Sequence, residues 1–298
     1  MPSEFLNHLT TRCLITDGAM GTMLQQMGLP VGESPVICNL LRPDWVQTVH
    51  RRYIKAGCDV ILTNTFVGSQ PALELAGYGE RVRELNTRGA RLAKEVVQTS
   101  LPQRVYVAAS IGPTGLFIEP VGDVTAGEME SIFREQIEAV VEEGVDLICV
   151  ETMSDLEEIT AALRAARSVC DLPVITTLTF EPGQNGLRTM MGVTPVEAIR
   201  ELVTAGADVV GSNCGRGIDE VIEVIREMRS ADQDVPLAAK PNAGLPELVE
   251  GRAVYRTSPE EMAPRIETMI EAGASLIGGC CGTTPEHLRR IVEVVKKR

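Results

Sequence analysis

The chain has 298 residues, of which 44% are hydrophobic and 23% are charged, and its formal net charge is −13. This composition is typical of a globular protein, and the acidity argues against a nucleic-acid-binding surface. No apolar run approaches the roughly 20 residues that a membrane-spanning helix needs, and the N-terminus lacks the basic and apolar regions of a signal peptide. We therefore expect a cytoplasmic protein that binds neither nucleic acid nor membrane.

Short apolar runs alternate with longer amphipathic segments along the chain. The apolar runs predict strands over residues 14–17, 60–64, 105–110, 147–151, 174–179, 208–213, 236–240 and 275–279. Helical spacing predicts helices over residues 45–56, 74–98, 125–143, 156–167, 195–205, 219–229, 259–271 and 285–296. These strand–helix units, with no break in composition, predict a single (β/α)8 TIM barrel of class α/β over residues 1–298.

An open, doubly wound α/β sheet is the alternative arrangement of such units. That fold normally carries a G-x-G-x-x-G fingerprint directly after its first strand. The corresponding sequence here, Asp-Gly-Ala-Met-Gly-Thr at residues 17–22, does not match the fingerprint. The barrel is therefore favoured.

Polar residues recur at the predicted C-terminal ends of the strands, where a barrel of this type builds its active site. They are Asp17, Asn64, Glu151, Asn213, Cys214, Asn242, Cys280 and Cys281. Packing does not explain polar groups at the ends of apolar strands. We expect them to converge on one opening that binds a small polar substrate and a metal, with Asn64 and Asn213 among the residues that contact the substrate.

Two adjacent cysteines, Cys280 and Cys281, lie in a glycine-rich turn near the C-terminus. Neighbouring cysteines do not readily form a disulfide because the resulting ring is strained, but two such thiols can bind one soft cation. Cys214, two strand–helix units earlier, is the expected third ligand. Thiolates select zinc, copper(I) or iron–sulfur clusters, and the cysteine spacing matches no cluster pattern. We predict that Cys214, Cys280 and Cys281 are catalytic residues that bind zinc and leave its fourth position open.

Such a site suits the activation of a thiol better than the activation of water, because zinc with three thiolates carries a net charge of about −1. A hydrolase is disfavoured, since none of His8, His50 and His287 falls at a strand end. A zinc- or thiol-binding subunit without catalytic activity is an alternative of another class. Asn242 is a candidate fourth ligand before the substrate binds, although a turn-forming asparagine explains its sequence equally well.

Seven motifs occur in order along nearly the whole chain. They are Leu-Ile-Thr-Asp-Gly-Ala-Met-Gly-Thr (14–22), Val-Ile-Leu-Thr-Asn-Thr-Phe (60–66), Ile-Gly-Pro-Thr-Gly (111–115), Val-Glu-Thr (150–152), Ser-Asn-Cys (212–214), Lys-Pro-Asn-Ala-Gly (240–244) and Gly-Gly-Cys-Cys-Gly-Thr-Thr-Pro-Glu-His (278–287). Together they resemble the homocysteine S-methyltransferase family, and in particular the homocysteine-binding domain of cobalamin-dependent methionine synthases.

The resemblance implies a zinc-bearing barrel in which the three cysteines bind the metal and the sulfur of homocysteine takes the fourth position. It also implies that Asp17 and Glu151 bind the amino group of the substrate, with the backbone amides of Ala19 and Met20 near its carboxylate. Elementary chemistry agrees, because an ammonium group pairs with carboxylates and turn amides suit an anion. The implied reaction is methyl transfer to homocysteine, which gives methionine.

The methyl donor is the part of the function that the sequence determines least. The resemblance to methionine synthases implies a methylated corrinoid, either free or on a partner protein, and we expect no folate- or cobalamin-binding domain in the chain. S-methylmethionine or another small methylated onium compound is the alternative. Val67 departs from betaine-dependent relatives, where an aromatic hydroxyl would be a zinc partner. A corrinoid protein would dock over the opening of the barrel, so we expect residues 28–43 and 181–193 to form mobile lids.

Overall fold

The computed structural model describes residues 3–100, 104–249 and 252–297. The strands are β1 (Leu14–Ile15), β2 (Val60–Leu62), β3 (Tyr106–Ile111), β4 (Leu147–Met153), β5 (Val174–Leu178), β6 (Glu181–Gly183), β7 (Gly186–Arg188), β8 (Val209–Cys214), β9 (Leu237–Pro241), β10 (Glu247–Val249), β11 (Arg252–Val254) and β12 (Ala274–Ile277). The helices are α1 (Glu4–Thr11), α2 (Met20–Gln26), α3 (Cys38–Leu41), α4 (Pro43–Ala56), α5 (Gln70–Leu75), α6 (Val82–Gln98), α7 (Ala126–Val141), α8 (Leu156–Val169), α9 (Pro195–Thr204), α10 (Ile218–Ala231), α11 (Pro259–Glu271) and α12 (Pro285–Val295).

Eight of these strands form one parallel sheet in the order β1-β12-β9-β8-β5-β4-β3-β2. A parallel bridge between Thr16 and Val60 joins the two ends of this sheet, so the strands close into a barrel. Helices alternate with the barrel strands along the chain. The predicted (β/α)8 barrel is confirmed.

Apolar side chains fill the lower part of the barrel interior. They come from alternate strand positions and comprise Leu14, Val60, Leu62, Tyr106, Ala108, Leu147, Cys149, Ile175, Val209, Ala238 and Leu276, and they pack with Phe5 and Leu9 of α1. Strand side chains alternate with a period of two, so inward positions nearer the C-terminal ends are two or four residues further along. Those positions include Ser110, Glu151, Thr177, Asn213 and Lys240, which are all buried. The regular pleat therefore places a polar layer on top of an apolar one.

Capping residues determine where several of the outer helices begin. Thr125 and Glu128 form a reciprocal capping box at the start of α7, and Thr194 with Glu197 forms one at the start of α9. Each pair satisfies two backbone or side-chain donors of the first turn, which would otherwise lack an intrahelical acceptor. A second apolar core fills the space between these helices and the strands.

The structure corrects one predicted helix and adds elements that the sequence pattern did not indicate. The helix expected over residues 74–98 is two helices, α5 and α6, because the chain turns at Gly77, whose φ is 79°. Helix α1 and the hairpins β6–β7 and β10–β11 are additional. The hairpin strands were missed because most of their described side chains are exposed, so no burial pattern distinguishes them from loops.

The segment expected to form the first lid, residues 28–43, packs against the barrel. It contains a turn of 3-10 helix at Pro35–Ile37 followed by α3. Within it Val36, Cys38 and Asn39 are buried. The side-chain amide of Asn39 donates hydrogen bonds to the carbonyls of Asn64 and Leu85, at 2.8 and 3.0 Å. Along the described part of the chain, no helix combines the length and the apolar character that a membrane span requires.

Candidate functional site

Three cysteine side chains meet at the C-terminal end of the barrel, as the sequence predicts. Cys214 ends β8, and Cys280 and Cys281 follow β12. The Cys214 Sγ lies 2.8 Å from that of Cys280 and 4.0 Å from that of Cys281, and all three sulfurs lie within 4.8 Å of one another. Sulfur ligands about 2.3 Å from one zinc ion in a tetrahedron lie about 3.8 Å apart. The cluster is therefore of a size that one such ion can join.

The three thiols lie close enough to shift one another's ionisation. Contacts with the sulfurs of Cys214 and Cys280 lower the pKa of Cys281, against the cost of its burial. Contacts with the sulfurs of Cys280 and Cys281, together with burial, raise the pKa of Cys214. A soft divalent cation bound between the three sulfurs would displace the thiol protons. The donor set fits zinc.

Two residues at this end of the barrel have an unfavourable backbone conformation. Thr152 has a φ of 63° and Cys214 a φ of 60°, both in the left-handed region. For a β-branched residue such as Thr152 this conformation is a clear outlier. Strain of this kind persists only where surrounding contacts enforce it, and it is concentrated at functional sites.

Asn213 supplies those contacts. Its Oδ1 accepts hydrogen bonds from the backbone amide of Thr152 and the hydroxyl of Thr177, at 2.8 and 2.7 Å. Its Nδ2 donates to the Thr152 hydroxyl at 2.6 Å and to the Cys280 Sγ at 3.6 Å. An amide offers two donors and two acceptor lone pairs, so these four bonds use its whole capacity. The structure therefore places Asn213 beside the predicted substrate site, with its amide bonded to the protein.

Glu151 faces the opening from β4 and has two partners. Its Oε1 accepts a hydrogen bond from the Ser110 hydroxyl at 2.5 Å, and its Oε2 lies 2.5 Å from the Nζ of Lys240. Sequence reasoning missed Lys240 as a site residue. The signal was present, because a lysine inside the apolar run of β9 is buried at a cost unless an anion pairs with it.

Asp17 follows β1 and lines the same opening. Its Oδ2 accepts a hydrogen bond from the backbone amide of Leu62 at 2.8 Å. Burial raises the pKa of Asp17 to about 8, despite the opposing effects of that hydrogen bond and of Lys240. At neutral pH the carboxyl group therefore holds a proton, and an incoming cation would favour its release.

The turn after Asp17 is fixed by Thr283. The Ala19 amide donates to the Thr283 hydroxyl at 3.2 Å, and the Ala19 carbonyl accepts from the Tyr53 hydroxyl at 2.9 Å. The amide of Ala19, expected near a substrate carboxylate, is therefore already bonded within the protein. The next amide, that of Met20, lies in the first turn of α2, where backbone donors have no intrahelical acceptor.

Two asparagines predicted at the site have different surroundings. The Nδ2 of Asn64 donates to the Pro35 carbonyl at 2.7 Å and to the Asn39 Oδ1 at 2.9 Å, so it ties residues 28–43 to the end of β2. The Nδ2 of Asn242 donates to the Gly215 carbonyl at 2.7 Å. The Asn242 Oδ1 is buried and has no hydrogen-bond partner among the described residues. A buried oxygen without a partner is suited to a cation ligand.

A cavity of about 390 Å³ lies at this end of the barrel. Its lining includes Asp17, Glu151, Lys240 and the three cysteines, together with the apolar residues Met20, Pro35, Val36, Phe66 and Val67. The cavity therefore offers charged groups, sulfur ligands and an apolar surface together. That combination suits an amino acid with a soft, apolar side chain.

Tyr255, which follows β11, is a second residue that sequence reasoning missed. A Cβ atom built on Gly282, directly after Cys281, would lie 2.1 Å from its Cγ, so its ring packs against the turn that carries the cysteines. Burial, followed by the charge of Cys281, raises the pKa of Tyr255 above its ordinary value. The residue gave no signal in the sequence because its contact depends on the hairpin β10–β11, which the sequence pattern did not indicate.

Comparisons with known proteins agree with this geometry. A protein-family model described as homocysteine S-methyltransferase matches residues 14–295. The methionine synthase of Mycobacterium leprae (strain TN) is 33% identical over 310 aligned positions, which cover 99% of this chain. The chain spans only 25% of the length of that relative.

Two solved structures share the fold. The crystal structure of the homocysteine methyltransferase MmuM from Escherichia coli, in its oxidized form, superimposes with a TM-score of 0.83 at 20% identity and covers 98% of this chain and 99% of that chain. The metallated form of the same protein gives a TM-score of 0.80 at 21% identity, with 96% of each chain covered.

Proposed function

Because this chain belongs to the homocysteine S-methyltransferase family of enzymes, we propose that it binds homocysteine through a zinc ion and transfers a methyl group to its sulfur, giving methionine. The observation that carries the proposal is the position of the three cysteine sulfurs beside two buried carboxyl groups in one cavity. A thiol and an ammonium group of one small molecule can reach both sets of groups.

Zinc is the metal that the residues fit best. Cys214, Cys280 and Cys281 would hold it, and the unpartnered Oδ1 of Asn242 is the candidate for the fourth position in the absence of substrate. MmuM, a structural neighbour, has been solved in a metallated form, which supports the presence of a metal. When bound, zinc keeps a thiol deprotonated at neutral pH while its sulfur remains nucleophilic.

The chain's own residues would orient the amino acid. Glu151, held by Ser110 and Lys240, and Asp17 would pair with the α-ammonium group. The amide of Met20, at the first position of α2, is the candidate donor to the carboxylate, whereas the amide of Ala19 is engaged by Thr283. In the transfer, a sulfur lone pair forms the new bond to the methyl carbon, and the electron pair of the breaking bond leaves with the donor. Positioning in line is the main contribution of the protein.

We propose a methylated corrinoid on a partner protein as the donor. Similarity to a methionine synthase supports a corrinoid, and the distribution of exposed apolar side chains supports a macromolecule. The large exposed apolar residues in the described part of the chain are Val31, Leu41, Leu75, Phe117, Val121, Met190, Met191, Leu245, Leu248 and Val249. Each lies in a segment between the C-terminal end of a barrel strand and the next main helix, on the side of the barrel where the cavity opens. Exposed apolar groups concentrated in this way are typical of a docking surface.

The test is methionine formation by the purified chain with homocysteine and each donor in turn: methylcobalamin, a methylated corrinoid protein, methylfolate, S-methylmethionine and betaine. We expect turnover with the corrinoid donors, and most with the protein-bound one. Turnover with S-methylmethionine and none with either corrinoid would replace the donor with a small onium compound.

A cysteine variant tests the metal site independently of the donor. Cys281→Ala should lose zinc and all methionine formation with every donor. Cys170→Ala is the matched control, because the Cys170 sulfur contacts the Ala166 carbonyl at the end of α8, away from the cavity. A Cys281→Ala enzyme that methylates homocysteine at the unmodified rate would show that the zinc–thiolate mechanism is incorrect.

A further inference from the structure

Two short segments at the opening carry the groups that would bind opposite ends of the substrate. Residues 17–20, the Asp17 turn, follow β1, contain Asp17 and Met20 and lead into α2. Residues 279–283, the cysteine turn, follow β12 and contain two of the three cysteines. Strands β1 and β12 are neighbours in the sheet, and the Gly279 amide donates to the Asp17 carbonyl at 3.0 Å. The two turns therefore begin side by side.

The hydroxyl of Thr283 joins the two turns. It donates a hydrogen bond to the Cys280 carbonyl at 2.7 Å and accepts one from the Ala19 amide at 3.2 Å. A threonine hydroxyl has a single hydrogen to donate, so its donor is used on the cysteine turn and its acceptor on the Asp17 turn. One side chain thus links the backbone of a candidate metal ligand to the backbone directly before Met20.

Tyr53 of α4 reaches the same place from outside the sheet. Its hydroxyl lies 2.9 Å from the Ala19 carbonyl oxygen and 3.2 Å from the Thr283 carbonyl oxygen, and these two acceptors share its one hydrogen. A third connection runs from the Gly282 amide to the Thr22 hydroxyl of α2, at 3.2 Å. Three hydroxyl groups therefore hold the cysteine turn against the Asp17 turn and the helix that follows it.

Glycines in both turns leave the space that these hydroxyls occupy. A Cβ atom built on Gly18 would lie 2.5 Å from the Thr283 Oγ1 and 3.0 Å from the Tyr53 Oη, and one built on Gly279 would collide with the Thr283 side chain. Glycine allows a backbone to approach its neighbours this closely. Two motif glycines thus have a packing reason, which is the link between the turns.

We propose that Thr283 and Tyr53 are positioning residues that fix the separation of the two turns, so that the metal-bound sulfur and the amino-acid part of one homocysteine molecule are bound at the same time. Both side chains are fully buried, and neither is among the residues that line the cavity. The proposal rests on the proposed function, because it takes the cysteine turn to bind the metal and the Asp17 turn to bind the amino acid.

The spacing matters because one small molecule would bind at both turns. Two attachments reinforce each other only where the geometry allows both to form, and a misplacement of about 1 Å can cost about 100-fold. Loss of either hydroxyl should therefore weaken the joint attachment more than it weakens binding of a thiol to the metal alone.

The experiment uses the full chain loaded with zinc and titrated calorimetrically with homocysteine and, separately, with propane-1-thiol. Propane-1-thiol has the same thiol-bearing chain but lacks the amino and carboxyl groups, so it can bind only at the metal. The ratio of its dissociation constant to that of homocysteine measures the contribution of the amino-acid part. Because the ratio is measured on folded, zinc-loaded protein, a loss of stability alone does not change it.

Three variants alter the link between the turns. Thr283→Val removes the hydroxyl at nearly constant shape, Thr283→Ser keeps it, and Tyr53→Phe removes the phenol oxygen. We expect Thr283→Val and Tyr53→Phe each to lower the ratio by about 10- to 100-fold. Thr283→Ser should retain the ratio of the unmodified chain.

Two variants away from the cavity are matched controls and should also retain the ratio. Thr176→Val removes a buried hydroxyl bonded to the Val209 carbonyl at 3.2 Å, and Tyr106→Phe removes a hydroxyl bonded to His8 at 2.9 Å.

Tyr53→Phe decides the proposal even where Thr283→Val does not fold. A ratio in Tyr53→Phe equal to that of Tyr106→Phe would overturn the positioning role. An unmodified zinc-loaded chain that binds homocysteine no more tightly than propane-1-thiol would instead overturn the proposed function, so the two failures are distinguishable.

Discussion

Lys240 and Glu151 form a buried ion pair across the inside of the barrel, with 2.5 Å between Nζ and Oε2 and side chains only 3% and 8% exposed. Strands β8 and β5 separate β9, which carries the lysine, from β4, which carries the glutamate. Burial alone would lower the pKa of Lys240, but the charge and hydrogen bond of Glu151, together with the nearby Cys149 and Cys280, hold that pKa above its usual value. The lysine therefore supplies the paired cation for a buried acidic side chain of the cavity.

Replacing Lys240 with methionine should destabilise the protein strongly. The substitution leaves the Glu151 carboxylate buried without its cation, which typically costs about 3–5 kcal/mol. The measurement is the free energy of unfolding in urea at neutral pH.

The double variant Lys240→Met, Glu151→Leu serves as the control for this prediction. Because it removes both charges, it should recover most of the lost stability while failing to bind homocysteine. If Lys240→Met alone unfolds at the same urea concentration as the unmodified protein, the pair has no structural importance.

The affinity for homocysteine should depend on the ionisation of Asp17. Since burial raises the pKa of this carboxyl to about 8, it is largely protonated at lower pH and cannot pair with an ammonium group. Affinity should therefore rise as the pH increases through about 8. The Asp17→Asn variant lacks this titration but retains those of the substrate's own thiol and amine.

The ratio of the homocysteine affinities of the unmodified chain and of Asp17→Asn isolates the effect of the Asp17 carboxyl group. Dissociation constants for the unmodified chain and for Asp17→Asn should be compared at pH values on either side of the Asp17 pKa. We expect the ratio to favour the unmodified chain increasingly with pH. A ratio that stays constant would mean that Asp17 does not bind the ammonium group in its ionised form.

The sequence predicts the positions of the polar groups well because the strand pleat is regular. Once Leu147 and Cys149 are assigned to the interior, Glu151 must follow on the same face, and its strand ends at the opening. The glycine-flanked pair Cys280 and Cys281 and the distant Cys214 meet for the same reason, since parallel barrel strands share one C-terminal edge.

What the sequence does not reveal depends on contacts between segments that have no local pattern. Tyr255 packs against the turn after Cys281 from the end of the hairpin β10–β11, and the first strand of that hairpin has no alternation of buried and exposed positions. The side-chain amide of Asn213 likewise forms hydrogen bonds with Thr152, Thr177 and Cys280, which come from distant parts of the chain. The motif around Asn213 therefore does not show whether its amide contacts the substrate or the protein.

His50 should make the protein sensitive to acid. It is fully buried in α4, its ring nitrogens have no partner among the described residues, and burial lowers its pKa from 6.5 to about 3. Below pH 6.5 the unfolded chain takes up a proton that the folded chain refuses, so stability should fall by about 1.4 kcal/mol per pH unit until the folded pKa is reached.

A comparison of two leucine variants checks this prediction. His50→Leu should be at least as stable as the unmodified protein at neutral pH, because two unsatisfied polar atoms disappear, and it should lose this part of the acid sensitivity. His8→Leu, at a partly exposed position in α1, should retain it. Urea denaturation at neutral and mildly acidic pH gives the result; equal acid sensitivity in both variants would exclude His50 as its source.

The close approach of β8 to β9 leaves no room for a side chain at Gly211, so we expect substitution there to destabilise the protein. A Cβ atom at this position would lie 1.9 Å from the Ala238 carbonyl oxygen, so even alanine forces the two strands apart. Overpacking of this kind costs about 1–3 kcal/mol. Because Asn213 and Cys214 follow on the same strand, Gly211→Ala should weaken zinc binding as well as stability.

Gly127→Ala in α7 is the matched control, because its Cβ would meet no atom within 4 Å. This variant should stabilise the protein by up to about 1 kcal/mol without changing the affinity for zinc. Loss of stability in Gly211→Ala with unchanged zinc affinity would show that the metal ligands do not depend on the spacing of these strands.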